Sequence, residues 1–412
     1  MRGCYHVASR LTKWYRLMEA LIYLDNSATT RVRPEVLEAM LPYLSENFGN
    51  PSSIHTQGRK AREAVEQARQ EVADLLGCQP REVYFSSCGT LSNNVALLGR
   101  ARFVEANGLN KHLVVSRIEH PSVMGPAQYL ESQGFRVTYL PVDREGVIRL
   151  EALETALRQG ASMVSIMWAN NEIGVLQPVE AITELVEKVA AEQGREIYQH
   201  CDAVQVIGKL PVDLEKLKLS SLSFSGHKFG APKGIGALFL RRLVNVMPII
   251  FGGGQEMGLM PGTEPLANIV ALGVASRLAR LEQEELQKRL LGYQEKLIGA
   301  LLQLPGVELT GPSSAHRRLP GHVSFCAGGI EGEALVLKSD LRGMAISSGS
   351  ACHQGIIEPS AVLRAIGLSP EKALGSVRIT FGRDSSDADV EKACAILQKL
   401  LTGVLPGAER GG

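Results

Sequence analysis

The sequence predicts an α/β protein: a large lobe with a mostly parallel sheet wrapped by helices, then a smaller α+β lobe. Three observations carry this. Between residues 82 and 200, strand-like apolar runs alternate with helical stretches, the pattern of a parallel sheet covered on both faces. A Leu-, Ala-, Glu- and Arg-rich stretch over 266–304, stopped by Pro305, reads as one long helix bridging two lobes. Beyond it strands and helices mix without that alternation.

The elements follow in order. Residues 22–24 form a short strand and DNSATT a polar turn, and Pro34 opens a helix at the position where proline is tolerated. FGNPSSIH is a loop. Residues 59–76 form an amphipathic helix with Ala61, Val65, Ala68, Val72, Leu75 and Leu76 on one face, ended by Gly77. A strand over 82–85 runs through SSCGTLSNN into an apolar helix from Val95. Strands at 112–115, 136–140, 162–168 and 196–200 alternate with helices at 121–133, 150–158 and 179–192. SFSGHKFGAPKGIGALFL (223–240) breaks at Gly226 and resumes as a strand over 235–240. FGGGQEMGLMPGTE is a Gly-rich loop. After the long helix, strands fall at 322–326, 344–347 and 376–381, and helices at 332–341, 359–366 and 387–400. The expected division is 1–34 (an extension and the start of the small lobe), 35–283 (large domain) and 284–412 (small domain).

The totals exclude some functions. Lys+Arg is 44 against Asp+Glu 43, so no charge excess argues for nucleic acid or an anionic membrane. No apolar run reaches the length of a membrane span. Seven cysteines without a C-x-x-C pair suit a reducing, cytoplasmic setting. Residues 1–17 carry Arg2, Arg10, Lys13 and Arg16 and no acid. Two readings fit: an organellar transit segment, or a start placed too early, with Met18 opening the chain proper.

In an open α/β sheet, ligands sit at the carboxyl ends of the strands, and several polar groups fall there. Lys228 leaves a buried strand before a Gly/Pro turn, where burial favours the neutral amine that condenses with an aldehyde. That makes it either a Schiff-base lysine or a loop lysine over a Gly-rich hairpin. Ser225 and His227 beside it are donors of the kind that hold a phosphate. Gly89-Thr90 opens a helix, fitting an anion site or an ordinary N-cap. Asp202 ends a strand, with Gln205 three residues on; it needs a cation, a protonated pyridine nitrogen or a structural partner. His120 precedes Pro121 at a helix start, and Asn171 follows another strand. Arg378 lies in an apolar strand and must find an anion, structural or substrate. Cys352, within SSGSACHQGIIEPS, is the one thiol placed to react. Cys352-His353 matches no metal spacing, and none is expected.

Taken together, YLDNSATT, FGNPSS, Glu119-His120, NNEIG, DAVQ, SGHK, PGT and SSGSAC followed by EPS resemble the cysteine desulfurases of the class V aminotransferase family. The resemblance runs from about Ile22 to Leu401 and points to the housekeeping and nitrogen-fixation branch. It implies fold type I with a seven-stranded sheet, pyridoxal 5'-phosphate as cofactor, and removal of sulfur from L-cysteine to give L-alanine and a persulfide. The roles it implies are Lys228 as Schiff-base lysine and mover of the Cα proton, and Cys352 as nucleophile. Asp202 serves the pyridine nitrogen, Gln205 the phenolic oxygen, and His120 stacks on the ring and assists proton transfer. Gly89, Thr90, Ser225 and His227 hold the phosphate, with Thr263 from the other subunit of a homodimer. Asn171 and Arg378 hold the substrate carboxylate. A sulfur-acceptor protein, an iron–sulfur scaffold being one candidate, completes the partners.

The chain departs from the family at three places. One is the short, Gly-rich tail beyond Leu401, which lacks the aromatic extension usual in housekeeping members and leaves the acceptor open. Cys88 and Leu91 replace a glycine and a glutamate of the phosphate turn, which puts its usual backbone in question. Met257 and Met260 stand where arginines are usual, removing two charges near the site's mouth. Competing readings are a selenocysteine lyase or another C–S lyase on this scaffold, and a non-catalytic sulfur-transfer partner.

Overall fold

The computed structural model describes residues 21–349, 351–353 and 356–402; at 351–353, 356 and 357 it describes the backbone. In chain order the first half comprises β1 (Ile22–Tyr23), α1 (Pro34–Met40), α2 (Pro42–Ser45), α3 (Thr56–Leu76), β2 (Val83–Ser86), α4 (Gly89–Ala106), β3 (His112–Ser116), α5 (Pro121–Ser132), β4 (Arg136–Leu140), α6 (Leu150–Arg158), β5 (Met163–Ser165), α7 (Val179–Gln193), β6 (Tyr198–Asp202), β7 (Ser221–Ser225) and β8 (Gly236–Leu240). The remainder is α8 (Leu266–Leu301), β9 (Val307–Leu309), β10 (His322–Ala327), α9 (Gly332–Asp340), β11 (Met344–Ala345), β12 (Ser347–Ser348), β13 (Ala351–His353), β14 (Ile356–Glu358), α10 (Ala361–Ala365), α11 (Pro370–Leu374), β15 (Ser376–Thr380) and α12 (Asp387–Thr402).

The large sheet has the seven-strand order β2-β8-β7-β6-β5-β3-β4. Only β8 runs against its neighbours, so β2, β3, β5, β6 and β7 all deliver their carboxyl ends to one edge. Gly236 pairs with both Ser86 and Ser225. A Cβ there would lie 2.6 Å from the Phe224 carbonyl oxygen, so glycine permits the ends of β2 and β7 to close together.

The two-residue period of β7 sorts its side chains by chemistry. Leu222 and Phe224 enter an apolar cluster with Val65, Val72 and Leu272 from α3 and α8, while Ser221 and Ser223 hydrogen-bond on the opposite face. Helix α8, at 36 residues, is about 54 Å long. Its first half packs into that cluster through Ile269 and Ala275. Its second half, through Leu290, Leu297 and Leu301, joins a separate cluster with Phe325, Val377 and Leu397. The small antiparallel sheet, β12-β15-β10-β9, lies there.

Differences from the sequence reading have local causes. The strand expected over 162–168 stops at Ser165 because Met167 N–H leaves the ladder for the Glu119 carboxylate, 2.9 Å away. The expected strand 344–347 is two strands: Met344–Ala345 pairs with β1 and Ser347–Ser348 with β15. Helix 359–366 starts only after Ser360, whose hydroxyl accepts from Leu363 N–H. Strands β9, β13 and β14 and helix α11 are additional to the elements expected from the sequence.

The Gly-rich loop 251–264 is tied down by a buried charge pair. Arg69 donates to both oxygens of Glu256 at 2.9 and 2.8 Å, and Phe85 N–H donates to the same carboxylate at 2.9 Å. Glu256 and Met257 hold φ of 48° and 54°, a left-handed backbone that side chains disfavour, so these bonds offset local strain. Glu256→Ala should cost about 3–5 kcal/mol, because it leaves Arg69 buried and unpaired. The midpoint of guanidinium unfolding reports it. Among the described residues, no helix is long and apolar enough to cross a membrane and no cluster could hold a metal ion.

Candidate active site

The carboxyl ends of β2, β3, β5, β6 and β7 enclose a cavity of about 340 Å³ lined by Gly89, Thr90, His120, Asn171, Asp202, Gln205, Ser225, His227, Lys228 and Arg378. Each of these residues singled out in the sequence is therefore brought to one place. Thr263 is exposed and is not among this chain's lining residues. Cys352 lies in the β13–β14 hairpin, and its side chain lies outside the described residues.

Lys228 enters from the turn after β7 and its Nζ donates to the Ser27 and Ala28 carbonyls at 2.5 and 2.8 Å. Burial, with Arg378 adding, pulls its pKa down to about 8 against the opposing pull of Asp25 and Asp202. A lysine held by carbonyls alone, with no carboxylate partner, is an amine ready to lose its proton. Beside it, His227 Nδ1 meets the Thr29 hydroxyl at 3.1 Å. Burial and the charges of Lys228 and Lys233 push His227 down to about 4, so it stays neutral.

Helix α4 opens on a glycine because the chain passes close to the segment after β6: a Cβ at Gly89 would meet Val204 Cγ2 at 2.7 Å. Cys88, in the position that raised a question about this turn, has φ −173° and ψ 167°. That is extended backbone open to any residue, so cysteine is accommodated, and Leu91 packs beside the apolar cluster of Val95, Leu97 and Leu238. The helix N-terminus thus faces the cavity with its free N–H groups, the arrangement that favours an anion.

Asp202 is 4% exposed; its Oδ1 accepts from Val204 N–H at 3.0 Å and its Oδ2 from Asn93 Nδ2 at 2.7 Å. Gln205 Nε2 donates to the Ser27 carbonyl at 3.0 Å. His120 caps α5, its Nδ1 accepting from Ser122 N–H at 3.1 Å. Crowding by protein lowers its pKa, with Lys228 adding and Asp202 opposing, while the residue remains open to solvent.

Arg378 donates to Asp25 Oδ1 at 2.7 Å and to the Asn171 carbonyl at 3.0 Å, and its buried Nε has no partner. In β12, Ser347 pairs with Arg378. The chain that leads to Cys352 therefore leaves from beside an arginine of the cavity, and it is fastened again where the Ser360 hydroxyl donates to the Glu172 carboxylate.

Neither Met257 nor Met260 lines this cavity. Met257 is 72% exposed beside Tyr84, and Met260 is buried with Leu259 in the cluster of Leu97 and Val95. Sequence reasoning missed Ser122, which lines the cavity, and Asn93, His200 and Ser223, which lie behind the lining residues. The available signal was polarity where none belongs: His200, Asp202, Ser221 and Ser223 alternate through strands that are buried throughout.

The fold and the cavity together define an α/β protein with an amine-bearing site at the carboxyl edge of its sheet. The chain belongs to the class-V aminotransferase family, whose model matches residues 22–393. It is 44% identical over 380 residues to the cysteine desulfurase IscS of Methanosarcina thermophila, covering 92% of each chain. It is 43% identical over 374 residues to the cysteine desulfurase of Rattus norvegicus, covering 90% of this chain and 80% of the rat protein. A solved NifS-like protein matches with a TM-score of 0.86 at 37% identity, covering 93% of this chain and 100% of that one. SspA in complex with cysteine matches with a TM-score of 0.74 at 36% identity, covering 87% and 98%.

Proposed function

We propose that the protein is an L-cysteine desulfurase that uses pyridoxal 5'-phosphate, moves the sulfur of L-cysteine onto Cys352 as a persulfide and releases L-alanine. The observation that carries this reading is the convergence of Lys228, Asp202, His120 and Arg378 on one cavity, beside the strand from which the Cys352 hairpin departs. The residues fit the cofactor. An anion-favouring helix start at Gly89-Thr90 lies near Ser225 and His227 for a phosphate, a buried carboxylate waits for a ring nitrogen, and a lysine of lowered pKa is at hand for an aldehyde.

Bound there, the cofactor supplies a conjugated ring that withdraws electrons from the substrate's α-carbon. The protein's own groups do the rest. Lys228 holds the cofactor and later carries the proton between carbons. Gln205 would serve the phenolic oxygen, and His120, open to solvent, would stack on the ring and assist that proton. Arg378, oriented by Asp25, takes the substrate carboxylate with Asn171. The thiolate of Cys352 attacks the substrate sulfur; the carbon–sulfur bond breaks, its electrons stay with carbon, and a proton replaces sulfur there. L-cysteine plus a thiol becomes L-alanine plus a persulfide, with no other reactant.

In the homodimer that the family resemblance implies, Thr263, exposed on this chain, would complete the phosphate site of the second copy. The passage of α8 from one apolar cluster to the other supports a division near 283–284. Cysteines 78, 88, 201, 326 and 394 are free, in keeping with a reducing compartment such as the cytoplasm. The transit-or-early-start question falls on residues 1–20, outside the described residues. The persulfide would pass to a sulfur-acceptor protein. Mass spectrometry of the intact protein after brief exposure to L-cysteine tests the reading. One added sulfur mapped to Cys352 and reversed by a thiol reductant is expected; alanine formation with Cys352 never modified would overturn it.

A further inference from the structure

Behind Asp202 lies a chain of buried polar groups that takes no part in the reaction as described. Tyr198, His200, Ser221, Ser223 and Asn93 are all 0% exposed. The Tyr198 hydroxyl meets the Ser221 hydroxyl at 2.6 Å, and Ser221 meets His200 Nδ1 at 2.8 Å. His200 Nε2 meets Asn93 Oδ1 at 2.9 Å, where the Ser223 hydroxyl also donates. On its other side, Asn93 Nδ2 reaches Asp202 Oδ2 at 2.7 Å and the Ser122 hydroxyl at 2.8 Å. Ser122 in turn meets His120 Nδ1 at 2.8 Å.

The inventory of donors and acceptors fixes the direction of every bond. Asp202 and Ser122 take the two amide hydrogens of Asn93, so its oxygen can only accept. His200 must then carry its proton on Nε2, leaving Nδ1 to accept from Ser221, and Ser221 accepts from Tyr198. Burial lowers His200 to about 3, consistent with one ring proton. His120 Nδ1 accepts from Ser122 N–H, so it carries no proton: the Ser122 hydroxyl donates to it and the His120 proton sits on Nε2. All donors point outward, from the interior of the sheet to the cavity wall. A buried network satisfied in only one sense resists rotation of any member.

We propose that Asn93, locked by His200 and Ser223, is the positioning residue that holds both Asp202 and His120 in the orientation the cofactor ring requires. This rests on the reading of the cavity as a pyridoxal-phosphate site. With Asn93 in place, Asp202 is pinned through both oxygens, one by Val204 N–H and one by Asn93, and its carboxylate would meet the ring nitrogen in a single orientation. Without it the carboxylate is free to turn, and the ring nitrogen loses part of the charge that stabilises its proton.

The test is the pH titration of the ring nitrogen, followed by nitrogen-15 NMR of the holoenzyme loaded with ring-labelled pyridoxal phosphate. The other ionisable groups that interact with Asp202, namely Glu119, His120, Cys201 and Lys228, are not substituted in any variant. Asn93→Leu should lower the midpoint by about one pH unit, the scale of a misplaced opposite charge. His200→Leu should lower it in the same sense. His200→Gln, which can still donate to the Asn93 oxygen, should retain the wild-type midpoint. A folded, loaded Asn93→Leu with an unmoved midpoint overturns the proposal. Should Asn93→Leu not fold, the His200 pair decides: a shift in His200→Leu alone supports it, and equal behaviour of the two overturns it. Wild-type protein that takes up no pyridoxal phosphate would sink the underlying reading instead.

Discussion

Replacing Cys352 with alanine is expected to abolish sulfide release from L-cysteine while leaving the protein able to take up pyridoxal phosphate and stay yellow. The two halves of that result have separate structural origins. The groups proposed to hold the cofactor, Asp202, Gln205, Ser225, His227 and Lys228, all come from strand ends of the large sheet. Cys352 belongs to a hairpin hung between Ser348, on the small sheet, and Ser360, at the start of α10. Loss of its thiol therefore removes the group proposed to take sulfur from the substrate and leaves the groups proposed to hold the cofactor in place. A serine in its place would fare no better, because an alcohol at neutral pH lacks the thiolate's nucleophilicity. Sulfide assay under reducing conditions, with the visible spectrum recorded on the same sample, makes the measurement. Sulfide release at the wild-type rate by Cys352→Ala would convert the protein into a lyase that needs no persulfide.

Most of the frame was legible because it rests on period and punctuation. The apolar face of α3 and its left-handed Gly77 cap, the alternation of strands and helices, and the length of α8 all followed from spacing. The lining residues were legible because chemistry at strand ends is confined to a few polar positions. What escaped was set by tertiary contact. Glu119 was read only as half of a motif, yet its carboxylate ends β5 by capturing Met167 N–H. Its buried position pushes its pKa up to about 8. Asn93 looked like one more polar residue at a helix start, and nothing local says that its amide is shared by Asp202 and Ser122. The loop around Glu256 read as structureless glycine-rich sequence, because the residue that fixes it, Arg69, lies 187 positions earlier. Each miss is a polar group whose partner is far away in the chain, where periodicity carries no information.

Lys228→Ala is expected to lose covalent attachment of the cofactor and to slow alanine formation by about 10²–10⁴-fold, the usual worth of a positioned proton-transfer group. Borohydride added to the wild type should fix pyridoxal phosphate to Lys228; the variant should gain no such mass. The pH dependence of cofactor uptake by the cofactor-free protein then separates an activated lysine from an ordinary one. The attacking species is the neutral amine, and burial with Arg378 lowers the pKa of Lys228 from 10.5 to about 8. A lowered pKa means that the neutral form grows as pH rises towards 8 and is dominant above it. Uptake should therefore accelerate with pH and level off above about 8. Without that depression the acceleration would continue towards 10.5. Asp25→Asn gives the sign a second check. Asp25 opposes the depression directly and also pairs with Arg378, so removing its charge should move the plateau to lower pH. A plateau that moved upward instead would mean that Arg378 swings away from Lys228 once unpaired, and that the arginine's position, more than burial, sets the amine's readiness.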